Sequence, residues 1–174
     1  MNHTPRRRMY RWSLGNLGAF GMTAALGLLG VGAVAQQCAP PPPQFVQVEG
    51  VQDGAVNSVN GHRAAAGLAP LVVDSRLTSA AQSHANDMAN RQVMTHTGSN
   101  SSTAGQRIAA YGYGATTWAE NVAAGQATAV DAVNAWMNSS GHRANILNAQ
   151  LGNIGVAAAT GSNGVTYWTM VFAA

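Results

Sequence analysis

Ile154-Gly155-Val156-Ala157-Ala158-Ala159, then Gly161-Ser162-Asn163-Gly164, then Val165-Thr166-Tyr167-Trp168-Thr169-Met170-Val171-Phe172: this closing stretch predicts a β-hairpin. Two apolar runs, the second rich in aromatic and β-branched residues, flank a turn of Gly, Ser and Asn, a composition that lets the backbone reverse tightly. Upstream the periodicity is helical. Val51, Ala55, Val56 and Val59 recur at three- and four-residue spacing, with Gly67 as a stop. Leu71-Val72-Val73 is a short extended link, after which Asp74 caps a second helix. Leu77, Ala81, His84, Ala85 and Met88 share one face of that helix, which makes His84 a core histidine satisfied by its neighbours. A short helix over about 105–111, a strand over 117–123, a helix capped by Thr128 and a further short helix behind Ser139 or Ser140 complete the order. Helices that precede and interrupt strands, closed by a hairpin, predict an α+β domain layered on a mainly antiparallel sheet.

The first 35 residues read as a secretory signal. Arg6, Arg7, Arg8 and Arg11 form a positive start, residues 17–31 an uncharged Ala/Gly/Leu run, and Ala33-Val34-Ala35 a small-residue cleavage site. An uncleaved anchor is disfavoured, because the run is Gly-rich and barely reaches the ~18–20 residues a span requires. Cys38 is the only cysteine, so no intramolecular disulfide forms. Gln36 and Gln37 stand before it where a lipoprotein signal needs small residues, so an incidental thiol is preferred over lipidation. Pro40-Pro41-Pro42-Pro43 makes residues 36–50 a stiff linker to a domain over 51–174.

Charge is misleading until the signal is set aside. The chain carries +3, but beyond residue 35 five arginines face six acids and no lysine occurs, a net charge of −1. The basic balance therefore gives no support for nucleic-acid or anionic-membrane binding.

Four segments carry a family resemblance. They are Asn60-Gly61-His62-Arg63 running into Gly67-Leu68-Ala69-Pro70-Leu71; Met94-Thr95-His96-Thr97-Gly98; Ala119-Glu120-Asn121-Val122-Ala123; and Trp136 through Ser139-Ser140-Gly141-His142-Arg143-Ala144-Asn145-Ile146-Leu147-Asn148. In this order, with the closing 167–172 strand, they resemble the CAP superfamily of cysteine-rich secretory, antigen 5 and pathogenesis-related proteins, in its bacterial SCP-like branch. The resemblance implies an α-β-α sandwich and a cavity lined in many members by two His and two Glu. His96 matches the first histidine and Glu120 the first glutamate, with Ala119 in place of the usual Gly. The second glutamate position holds Ser139, and the second histidine would fall near Tyr167, so half the tetrad is absent. The bacterial pattern offers His142 instead, and it is expected in the same cavity with Ser139 and Asn145.

Two imidazoles and a carboxylate are a plausible first shell for zinc or another divalent metal, with His96 and His142 as ligands. The same three groups also suit a hydrogen-bonded trio in which Glu120 fixes a histidine tautomer and raises its pKa. Both remain open at this level. No His-Glu-x-x-His and no Gly-x-Ser-x-Gly occurs, and serines beside a helix start are caps more often than nucleophiles, so Ser140 is read as capping the helix of His142. Trp118, Trp136, Tyr167 and Trp168 are expected in the core or the cavity wall; Asn121 and Asn145 as partners of buried backbone; Arg143 on carbonyls or in solvent. The reading preferred is a secreted, non-enzymatic binding module for a metal, small molecule or lipid. A metal-assisted or serine-type hydrolase and a structural envelope domain stand as alternatives.

Overall fold

The computed structural model describes residues 48–174; the signal, most of the linker and Cys38 lie outside the described residues. Helix α1 (Val48–Ala65) already begins inside the stretch assigned to the linker. It ends where Gly67, at φ +71, turns left-handed, so that Leu68 N–H reaches the Arg63 carbonyl and Gly67 N–H that of Ala64. Strand β1 (Val72–Val73), α2 (Ser75–Arg91), α3 (Ala104–Ala110), β2 (Trp118–Ala124), α4 (Ala129–Met137), α5 (Ser140–Ile146), β3 (Asn153–Thr160) and β4 (Thr166–Ala173) come next along the chain. The expected caps are present at Asp74, which accepts from Arg76 N–H, and at Thr128, which accepts from Asp131 N–H. Ser140 does not cap α5: Ser139 holds that position and makes no side-chain cap bond.

The four-stranded sheet runs β1-β3-β4-β2. The predicted hairpin pairs Ile154 with Phe172 and Thr160 with Thr166, and β2 pairs antiparallel with β4. The short β1 is parallel to β3, so the sheet is mixed, with antiparallel pairing in the longer ladders. Alternation along β3 and β4 divides two core layers. Ile154, Val156, Ala158, Trp168, Met170 and Phe172 face α1, α4 and α5. Ala157, Ala159, Tyr167, Val171 and Ala173 face α2 and α3. The result is an α-β-α sandwich, in agreement with the expectation from sequence.

The asparagine and arginine of the 60–63 segment stitch the layers. Asn60 and Leu71 exchange hydrogen bonds of 3.1 and 2.8 Å between side chain and backbone. Arg63, 2 % exposed, donates to the carbonyls of Ala69, Ile146, Asn148 and Leu151. Burial lowers its pKa from the ordinary guanidinium value.

Helix α2 touches the sheet backbone to backbone. A Cβ on Gly155 would stand 2.2 Å from Leu77 C and Thr78 N, and no rotamer can relieve a clash between main chains. Gly155→Ala is therefore expected to lower stability by about 3 kcal/mol or more in urea unfolding. Gly61 lies inside α1 with nothing within 4 Å of its would-be Cβ. Gly61→Ala should stabilise the domain by roughly 0.5–1 kcal/mol in the same assay.

Candidate functional site

Strand β2 is one edge of the sheet, and its alternation decides the site. Glu120 and Val122 turn toward α2 and α3, while Asn121 turns toward α5. Glu120 has a side chain only 2 % exposed, so its charge must be met internally. Arg107 of α3, itself 7 % exposed, places Nη2 2.6 Å from Glu120 Oε2. His96 donates from Nδ1 to Oε1 at 2.9 Å. His84 Nε2 lies 4.0 Å from the same oxygen and donates at 2.7 Å to the Thr95 carbonyl.

The guanidinium of Arg107 holds the surrounding loop as well. Nη1 reaches the Ser102 carbonyl at 2.8 Å and Nη2 the His96 carbonyl at 3.2 Å. A reciprocal capping box between Thr103 and Gln106 starts the helix that carries it. Sequence reasoning missed Arg107. The available signal was scarcity: with so few charged residues in the domain, an arginine directly before the apolar Ile108 stands out.

His96 keeps 59 % of its side chain exposed, so the carboxylate is buried and the imidazole is not. The hydrogen bond to Glu120, and after it the Glu120 charge, raises the pKa of His96, and partial burial and Arg107 oppose this. With Nδ1 taken, Nε2 is the atom left for a ligand. His96, Trp118, Glu120 and Thr97 help line a cavity of about 260 Å³. Trp118 is thus a cavity wall and not core, 46 % exposed, whereas Trp136, Tyr167 and Trp168 are buried.

His142 approaches from the α5 side of the sheet. Its own burial lowers its pKa first, and the charge of nearby His96 lowers it further. Its carbonyl accepts from Asn121 Nδ2 at 3.1 Å. Asn145 donates to Asn121 Oδ1 at 2.8 Å and to the Glu120 carbonyl at 3.4 Å, so both asparagines tie backbone, as anticipated. Arg143 is exposed, and the residues that line the His96 cavity include none of Ser139, His142 and Asn145, which the sequence had placed there. Tyr167, in the place of a family histidine, packs in the core beside Ala85 and Met88.

For a metal, the available donors are His96 Nε2 and the His142 ring, because both Glu120 oxygens are engaged by Arg107 and His96. Among the described residues no group of three or more His, Cys, Asp or Glu side chains is arranged to hold an ion.

Fold and site together define an α-β-α sandwich with a carboxylate-held histidine at a sheet edge. Residues 56–172 match the CAP, or cysteine-rich secretory protein, family, and the chain belongs to it. YkwD of Bacillus subtilis is 37 % identical over 101 residues, which cover 58 % of this chain and 39 % of that protein. A Bacillus anthracis extracellular protein containing an SCP domain is similar in structure, at TM-score 0.65 and 28 % identity, over 72 % of this chain and 40 % of the other. An outer surface protein of Borrelia burgdorferi shares the fold at TM-score 0.69 and 22 % identity, over 75 % of this chain and 97 % of that one. This chain thus spans well under half the length of YkwD.

Removing the Glu120 carboxylate strands Arg107 in the interior, so Glu120→Leu should cost about 3–5 kcal/mol in chemical unfolding. The pH dependence has a fixed sign. A raised folded pKa stabilises fully below the unfolded value near ~6.5 and loses that increment as pH rises through the folded value. The stability difference between wild type and His96→Ala should therefore be largest in mild acid and shrink toward alkaline pH in paired melts.

Proposed function

We propose that this chain is a secreted, non-enzymatic binding module whose ligand-contacting group is the His96 imidazole, with His142 as second contact. The observation that carries this reading is the full engagement of Glu120 by Arg107 and His96. A carboxylate committed to two cationic or proton-donating partners is poorly suited to act as a general base, whereas it is well suited to orient an imidazole. The His84 and His96 rings bond the Thr95 carbonyl and Glu120 and not a serine, which favours binding over serine-type hydrolysis.

The ligand we favour at this site is a divalent cation, with zinc the first choice for imidazole donors. Two imidazoles would hold it weakly and leave positions for water or an exogenous donor. An apolar or lipid ligand against the exposed face of Trp118 is the alternative within the same reading. Export rests on the N-terminal signal and on the extracellular and outer-surface descriptions of the structural relatives. Among the described residues no helix is long and apolar enough to cross a membrane.

Calorimetric titration of zinc into the full chain should give near one equivalent, lost in His142→Ala and in His96→Ala. Affinity should rise with pH, because the raised pKa of His96 makes the metal compete with a proton. Equal binding by wild type and both variants would sink the site assignment, and no binding by any would sink the metal. Expressed in an exporting bacterial host, the mature chain should begin at Gln36 by mass spectrometry; retention of residues 1–35 would contradict the cleaved signal.

A further inference from the structure

Among the described residues Trp136 and Trp168 are 1 % and 2 % exposed, each with its indole N–H on a backbone carbonyl, whereas Trp118 keeps 46 % of its surface exposed. Trp118 opens β2, where pairing with Ala173 fixes its backbone. Its indole lies on the first turn of α3. A Cβ on Gly105 would stand 2.7 Å from Trp118 Nε1, 2.8 Å from Cε2 and 3.2 Å from Cζ2, so the ring rests where only a glycine leaves room for it. That turn is itself fixed by the capping box of Thr103 and Gln106. An exposed aromatic ring is thus held on a rigid backing, which spares the ordering cost of binding.

Trp118 lines the cavity of about 260 Å³ together with His96, Thr97, Thr103, Ala104 and Glu120. That volume falls below the ~300–1,000 Å³ of drug-sized sites and suits a single ring. The wall has few polar groups to spare. Glu120 is 2 % exposed, with its oxygens engaged by Arg107 and His96, so the cavity does not call for a charged partner. The Thr103 hydroxyl accepts from Gln106 N–H and donates to Gln106 Oε1, each at 3.3 Å. His96, 59 % exposed, and the exposed Thr97 remain as polar groups with open surface. A sugar needs a partner for each hydroxyl it desolvates, and this wall does not supply them. A flat ring with one hydroxyl asks for a π surface and one polar partner, and both are present.

We infer that this cavity binds a single uncharged phenolic ring stacked on Trp118. Binding of this kind rests on the reading of the His96 cavity as a ligand site and requires no metal. The ring has two sources, a free phenol or a tyrosine side chain of a peptide.

The test is nitrogen-15 NMR of the full chain, kept metal-free with EDTA. It is titrated with p-cresol, with cyclohexanol as a puckered ring bearing the same hydroxyl, and with a capped tripeptide centred on tyrosine. Saturable p-cresol shifts are expected in the Trp118 indole N–H and the Gly105 amide, with the Trp136 and Trp168 indoles unmoved. Trp118→Ala should abolish them. Gly105→Ala keeps the indole but pushes it from its seat; it should fold as wild type does, since a side chain can swing away, and bind p-cresol about tenfold more weakly. Tighter binding of the tripeptide would assign a peptide source, and equal affinity a free phenol. No saturable shift up to ~50 mM p-cresol would overturn the proposal, as would equal binding of cyclohexanol or an unchanged affinity in Gly105→Ala. Zinc binding in a chain that ignores p-cresol would overturn the ring site alone and leave His96 as a ligand contact. Failure of both probes would overturn the ring site and the metal together.

Discussion

The seat of α2 on the sheet, main chain against main chain at Gly155, is the constraint on which the rest of the domain depends. Contact this close places the Leu77, Ala80, Ala81, Ala85 and Met88 face directly over β3 and β4, leaving room for little more than alanine between them. It also fixes how near His84 comes to β2. One helix turn nearer its N-terminus than Met88, His84 can then reach both the Thr95 carbonyl and the neighbourhood of Glu120. A bulkier residue at 155 would lift the helix from the sheet and carry His84 with it. Packing at one glycine on β3 thereby bears on groups at β2, two strands away.

Glu120 is the electrostatic counterpart of that constraint. An ionised carboxylate this deeply buried is tolerated only with a paired charge and satisfied lone pairs, and Arg107 and His96 supply both. The pairing is specific in its consequences. Arg107 bonds the His96 and Ser102 carbonyls while it neutralises Glu120, so the loop between α2 and α3 is held by the same guanidinium that holds the acid. His96 is then an exposed ring on a rigid support, which is what recognition through one imidazole nitrogen requires.

The fold was legible because its signals are local. Two apolar runs about a Gly/Ser/Asn turn marked the hairpin, three- and four-residue spacing marked α1 and α2, and Asp74, Thr128 and Gly67 punctuated them. Where side-chain capping was inferred from composition alone it failed, at Ser140, since the α5 entry is held by backbone bonds such as Arg143 N–H to the Ser139 carbonyl. Residues 71–73 were read as extended, but the parallel pairing of β1 with β3 was not, because two residues carry no register signal. The site was legible only in part. The pairing of His96 with Glu120 came from family resemblance, as residues 24 apart in the chain share no periodicity that would join them. The roles of Arg107 and His84 were missed for a physical reason. A buried arginine and a solvated one look alike in a short helix, and a histidine in an apolar stripe reads as core whether or not its second nitrogen has a partner. His84 is core at Nε2 and, among the described residues, unpartnered at Nδ1, a distinction that only three-dimensional bonding can draw.

The edge position of β2 explains why groups from both layers can meet. In a central strand, Glu120 and Asn121 would project into layers separated by the whole sheet, and nothing bound to one could sense the other. At an edge the separation ends. His96, carried by the α2–α3 connection and held by Glu120, and His142, carried by α5 and anchored through its carbonyl to Asn121, come close enough for the charge of one to depress the pKa of the other. Consecutive residues of one strand thus fix two imidazoles from opposite sides of the sheet. Glu120 makes His96 the more basic of the two, while burial and the neighbouring charge make His142 the less basic. As pH falls, His96 takes the first proton and so disfavours the second at His142.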